Sequence, residues 1–262
     1  MFREEPLLSD THAHVESFTP AVLDELLERA RSQGIATIIA NGITLRSSAT
    51  SVAIAGRYPC LWATVGLHPF YAPRLRGAVP AIRELALKER VVGIGEIGLD
   101  FLRYPETGEV QLALFEEQLR LAQELDLPVV IHTKGAHRET LAALSRNGLG
   151  EKRVIIQGFR DNLAILDDWL ERGFYLSIGG TILWEPSAAL AETIRQIPAE
   201  RLLLETDTTA KRNLSQGLEL ATLRKIAEKV AELRRVSLED LARATTKNLR
   251  EVFRLPDNSN IA

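Results

Sequence analysis

The segment Asp10-Thr11-His12-Ala13-His14 sets two imidazoles one residue apart, just after the apolar entry Pro6-Leu7-Leu8. Three more candidates each follow a short apolar run: Glu96 in Gly93-Ile94-Gly95-Glu96-Ile97-Gly98, His132 after Val129-Val130-Ile131, and Asp207 after Leu202-Leu203-Leu204-Glu205-Thr206. Imidazole plus carboxylate suits a catalytic divalent cation with positions left open for water and substrate. Residues i and i+2 of a strand share a face, so His12 and His14 could grip one cation, with Asp10 orienting them from behind. A pair of histidines that merely caps a strand is the bland alternative, and the doublet alone leaves both open. Four strand ends carrying such groups favour the metal. Glu96 could bridge two cations with its two oxygens, while Asp207 could bind one cation and take a proton from the attacking water.

Several further residues surround this set. His68 ends Val65-Gly66-Leu67-His68-Pro69, where the proline keeps it out of a helix and turns its ring toward the strand ends. It could contact a substrate phosphate or assist the leaving group; a purely structural stacking role stands beside that reading. Lys134, Arg160, Lys211 and Arg212 follow strand ends and could clamp an anion, although each alone reads as a solvated base. Glu205 is expected to support rather than ligate, Asp100 to hold its loop through backbone hydrogen bonds, and His137 to start a helix away from the site.

These groups can meet only if strands and helices alternate. Apolar runs predict strands at Leu7-Leu8, Ile35 to Ala40, Trp62 to Leu67, Val91 to Ile94, Val129 to Ile131, Val154 to Ile156, Phe174 to Ile178 and Leu202 to Leu204. Helical stripes lie between and after them: Leu23, Leu26, Leu27 and Ala30; Leu112, Phe115, Leu119 and Ala122; Leu220, Leu223, Ala227 and Val230. Nearly all-apolar strands separated by helices predict a parallel sheet. With chemistry at so many strand ends, an α/β (β/α)₈ TIM barrel with a metal site at the C-terminal ends of its strands is expected over a doubly wound sheet. A last helix, Ser237 to Phe253, opens with the capping signature Ser237-Leu238-Glu239-Asp240 and is expected to close the barrel's flank; residues 256–262 are expected to fray.

The 262 residues fit one barrel domain, 1–262, near the roughly 250 residues typical of the fold. A formal net charge of −3 excludes a protein that coats nucleic acid with its whole surface, but not a local phosphate site. The single cysteine, Cys60, cannot pair internally and reads as a small buried apolar residue. No stretch has signal-peptide or membrane-span character, so a cytoplasmic protein is expected.

At these residues the chain resembles the TatD-type deoxyribonucleases, a branch of the metal-dependent amidohydrolase-like barrels. The markers are Asp10-Thr11-His12-Ala13-His14, Gly66-Leu67-His68-Pro69, Gly95-Glu96-Ile97-Gly98-Leu99-Asp100, Pro128-Val129-Val130-Ile131-His132 and Glu205-Thr206-Asp207, and they span almost the whole chain. The resemblance implies a metal-dependent nuclease or phosphodiesterase acting on nucleic acid, DNA first. It implies a first cation on His12, His14, Glu96 and Asp207, and a second shared by Glu96, His132 and a histidine of the sixth strand. That histidine is replaced here by Gln157, whose neutral carbonyl oxygen is a weak, hard ligand. One tight site for Zn, Mg or Mn is therefore expected, with the second weak, inclined to Mg²⁺ or Mn²⁺, or absent; Gln157 could equally just bond a water. The segment after Asp207, Thr208-Thr209-Ala210-Lys211-Arg212, also departs from the proline-bearing family pattern.

Two other functions fit the same residues. The water could attack an acyl carbon, as in amide hydrolysis or aminoacyl-tRNA deacylation. Alternatively, a weakened enzyme could survive as a binding subunit of a protein complex.

Overall fold

The computed structural model describes residues 7–149, 153–184, 186–210 and 217–256. Eight parallel strands form one sheet in sequential order: β1 (Leu8–Ala13), β2 (Ile35–Asn41), β3 (Leu61–Val65), β4 (Val91–Asp100), β5 (Val129–Lys134), β6 (Val154–Ile156), β7 (Tyr175–Ile178) and β8 (Leu202–Leu204). The connecting helices are α1 (Pro20–Ser32), α2 (Leu45–Ala55), α3 (Val79–Ala86), α4 (Gly108–Glu124), α5 (His137–Arg146), α6 (Leu163–Leu170) and α7 (Ala188–Gln196), with α8 (Leu223–Arg234) and α9 (Leu238–Phe253) after the last strand. This is the expected barrel.

The sheet closes on itself just beyond β8. Asp207 N–H donates to His12 O at 2.8 Å, and His14 N–H donates to Thr208 O at 2.9 Å. Buried Asp10 reinforces the seam: its Oδ1 accepts from the backbone N–H of His12 and of Thr206, each at 3.0 Å, and its Oδ2 accepts from the Thr206 hydroxyl at 2.6 Å. Asp10 therefore supports His12 through its backbone rather than by bonding the imidazoles.

Strand alternation sorts the apolar residues into two cores. Ile38 and Ala40 pack outward with the helices. Ile39 between them joins Val92, Val130, Ile155, Tyr175 and Leu203, one residue from each of six strands. Only the barrel lumen brings six strands to one cluster. The last turns of α9 add Leu249, Val252 and Phe253 to it, so this helix plugs the lumen as well as lying on the flank. Its start follows the sequence signal, with the Ser237 hydroxyl accepting from Asp240 N–H at 3.0 Å, a cap that contributes about 1 kcal/mol. Cys60 is half-buried against the core.

Strands β1, β4 and β5 run several residues past the apolar stretches that announce them, because their last residues keep pairing while carrying polar side chains inward. The β4–β5 register shifts between Ile94 and Ile97, and this irregularity spans Glu96. Gly98 sits at φ 139, where an added Cβ would lie 1.9 Å from the His132 carbonyl; only glycine lets β4 pass β5 so closely. Among the described residues no helix is long and apolar enough to cross a membrane. The expected frayed tail, 256–262, lies outside the described residues except for Pro256.

Candidate metal centre

Seven of the sequence candidates converge on the carboxyl ends of the strands. His12 Nε2 and His14 Nε2 lie 3.2 Å apart. Glu96 Oε2 faces both, at 3.3 Å from His12 Nε2 and 3.6 Å from His14 Nε2. Asp207 Oδ1 completes this half at 3.5 Å from His14 Nε2 and 4.0 Å from His12 Nε2. Asp207 reaches in from a left-handed backbone, φ 49, a conformation that aspartate tolerates better than most residues. The other oxygen of Glu96 serves a second half: Oε1 lies 3.1 Å from His132 Nδ1, 3.0 Å from Gln157 Nε2 and 3.5 Å from His68 Nε2.

Hydrogen bonds at the far side of three of the rings, those of His14, His132 and His68, decide which nitrogen is free. His14 Nδ1–H donates to the Asn41 carbonyl at 2.9 Å, which leaves Nε2 its lone pair. His132 Nε2–H donates to Asp100 Oδ2 at 3.2 Å, freeing Nδ1. This backing of an imidazole by a carbonyl or carboxylate is the usual support of a metal ligand. His68 differs. Its Nδ1 accepts from Phe70 N–H at 3.1 Å, so in the neutral ring Nε2 carries the proton and donates. His68 clusters with Glu96 and His132 as a ligand set by distance, yet the tautomer makes it a donor rather than a ligand.

The charges agree with a cation-binding pocket. Burial pulls the His14 pKa down, but the Asp207 hydrogen bond and the charges of Glu16 and Glu96 carry it up to about 10. Burial opposes the charged form of Glu96 too; the imidazoles of His68, His12 and His132 outweigh it and hold this carboxyl well below the usual range. Two buried imidazole nitrogens 3.2 Å apart beside two carboxylates repel unless a proton or cation lies between them. His12, His14, Glu96 and Asp207 therefore fit a divalent cation in donor type and spacing.

The remaining candidates divide. Glu205 is buried, and burial raises its pKa to about 8 against the lowering influence of His12. Asp100 holds its loop through Arg103 N–H, as expected, and also backs His132, a contact the sequence does not announce. Lys134 Nζ donates to Gly158 O at 3.3 Å beside the pocket, and Arg160 lies exposed in the next loop. His137 pairs with Asp168 at 2.7 Å, outside the cluster. Lys211 and Arg212 lie outside the described residues. Sequence reading missed Asn41 and Glu16: the first backs His14 through a carbonyl that any residue type would offer, and the second approaches its Nδ1 at 3.7 Å.

A parallel barrel with histidines and carboxylates gathered at its carboxyl end defines a metal-dependent hydrolase. The model of the family TatD related DNase matches residues 9–254, and the chain belongs to that family. It is 30% identical over 259 residues to the uncharacterized metal-dependent hydrolase YabD of Bacillus subtilis, covering 95% of this chain and 100% of that protein. It is 34% identical over 239 residues to the 3'-5' ssDNA/RNA exonuclease TatD of Citrobacter rodentium, covering 88% and 91% of the two chains. The crystal structure of YJJV, a TatD homolog from Escherichia coli K12, superposes with a TM-score of 0.86 at 30% identity, covering 95% of this chain and 98% of that one.

Proposed function

We propose that this hydrolase cleaves phosphodiester bonds in nucleic acid, DNA first, at one tightly held divalent cation bound by His12, His14, Glu96 and Asp207. The observation that carries the reading is the split of Glu96: Oε2 faces His12 and His14, while Oε1 accepts from the Gln157 amide and faces His132 Nδ1 at 3.1 Å. The 3'-5' ssDNA/RNA exonuclease among the relatives supports the choice of substrate.

When bound, the cation supplies Lewis-acid charge for a water and a phosphoryl oxygen. The chain's own residues do the rest. Asp207, with its side chain 23% exposed at the pocket mouth, accepts the proton of the attacking water. His68 offers its Nε2–H to a phosphoryl or leaving oxygen, and burial holds its pKa below the ordinary value, so it acts as a neutral donor. Lys134 gives the anion a nearby positive charge.

Gln157 weakens the second position. Its NH₂ group has two protons, which reach Glu96 Oε1 at 3.0 Å and His132 Nδ1 at 2.9 Å. Those are the two lone pairs that a second cation would use. Such a cation must displace the amide, or turn it to gain a single neutral oxygen.

The test offers short single- and double-stranded DNA beside an acyl ester and an amide, each with Mg²⁺, Mn²⁺ or Zn²⁺. Release of nucleotides is expected. Turnover of the acyl substrates with no DNA cleavage under any metal would replace this reading with acyl hydrolysis.

A further inference from the structure

Two loops on the His68–His132 side of the pocket carry aromatic rings that the chemistry so far leaves unused. Phe70 stands two residues after His68 and is 45% exposed. Its ring meets Tyr71 edge-on, with centroids 4.5 Å apart, and Tyr104 at 4.9 Å and a tilt of 57°. Tyr104 belongs to the loop after β4, whose Asp100 touches His132, so the two loops lock ring to ring beside the metal pocket. Leu102 of that loop is 71% exposed and widens the apolar rim. The same loop is pinned to the cationic side of the pocket, since Phe101 N–H donates to the Lys134 carbonyl at 2.9 Å.

An exposed ring braced by two half-buried tyrosines on the loops beside the candidate metal pocket suits one kind of group. An unpaired nucleobase presents a free π face, and it brings a phosphate of its own to the pocket. A base inside a duplex has both faces covered. From this juxtaposition we infer that Phe70, backed by Tyr104 and Tyr71, is the stacking platform for an unpaired base next to the phosphate being cleaved. The inference rests on the phosphodiester reading above and adds the residues that select a single strand.

Phe70→Ala removes the ring but keeps the backbone N–H that His68 accepts. Metal-free protein in chelator is titrated, by fluorescence anisotropy, with a short oligodeoxyadenylate labelled internally and with the same strand made abasic at both end nucleotides. The unmodified protein is expected to prefer the intact strand by about 5- to 150-fold, the span of one base–aromatic stack. Phe70→Ala should bind the two strands equally, and Phe70→Trp should restore the preference. Tight binding by Phe70→Ala with the preference intact would overturn the platform while leaving the hydrolytic reading standing. An equal loss on both strands would also overturn it, by showing that the ring serves only the loop. No binding of either strand by the unmodified protein, together with no DNA cleavage, would remove both readings at once.

Discussion

The two halves of the pocket are held in different ways. His12, His14 and Asp207 stand on the β1–β8 seam, where backbone hydrogen bonds of 2.8 and 2.9 Å close the barrel through the very residues proposed as ligands. His132 and Gln157 stand on β5 and just past β6, and meet Glu96 and Asp100 through side chains. At the seam, ligand geometry is a by-product of closing the barrel. Across the pocket it depends on which side chains are present, and there Gln157 contacts Glu96 and His132 through its amide.

The largest effect should follow from emptying the seam of its imidazoles. His12→Ala combined with His14→Ala should abolish tight metal binding and activity, yet leave a folded barrel, because the closing bonds come from backbone atoms. Metal stoichiometry after gel filtration, with circular dichroism, checks this. Retained metal in the double variant would show that the ligands lie elsewhere.

Asp207→Asn comes next. It keeps the shape and the N–H to His12 but removes the proton acceptor and a charged ligand. Loss of a general base slows a reaction by roughly 10²–10⁴-fold, and the weakened metal should add to it. Undiminished cleavage at saturating metal would reassign the base.

The seam also gives a pH dependence with a definite sign. In the metal-free protein His14, with its pKa raised from 6.5 to about 10, is protonated at neutral pH. Its contribution to stability is fully present below pH 6.5 and disappears as the pH rises through about 10. Metal binding runs the other way, because the cation must displace that proton, so affinity should rise with pH across this window by about tenfold per unit for each proton released. Calorimetry in buffers of different ionisation enthalpy counts the protons. No proton release at pH 7 would mean that His14 is not a ligand.

How much of this was legible follows the same division. Histidines and carboxylates after apolar runs stand out by residue type, and the eight apolar runs mark the strands, so the fold and the seven converging candidates could be read from one chain. Residues that act through the backbone or through distant partners could not. Asn41 supports His14 with a carbonyl that carries no sequence signal, and Asp100 finds His132 only because β4 and β5 pair with Gly98 opposite His132. The lumen plug of α9 is hidden because Leu249, Val252 and Phe253 read as an ordinary amphipathic stripe. Nor does the tautomer of His68 appear in the sequence, since the Phe70 N–H that sets it is common to every residue but proline.

The smallest change in the natural background is expected at Gln157. Gln157→Ala should leave the first equivalent of metal almost untouched, because the amide bonds Oε1 of Glu96 while the first cation is assigned to Oε2. Gln157→His is the sharper variant: it replaces two donated protons with an imidazole lone pair, and a second equivalent of Zn²⁺ or Mn²⁺ should then bind beside His132. In that background Asp100→Asn removes the carboxylate behind His132 Nε2. Loss of such backing typically weakens a metal by about 10- to 100-fold, so the second equivalent should weaken by that amount and the first should not. Calorimetric titration separates the two. Two equally tight equivalents in the unmodified chain would show that the amide does not guard the second position, and loss of both equivalents in Asp100→Asn would show that the two halves of the pocket are not independent.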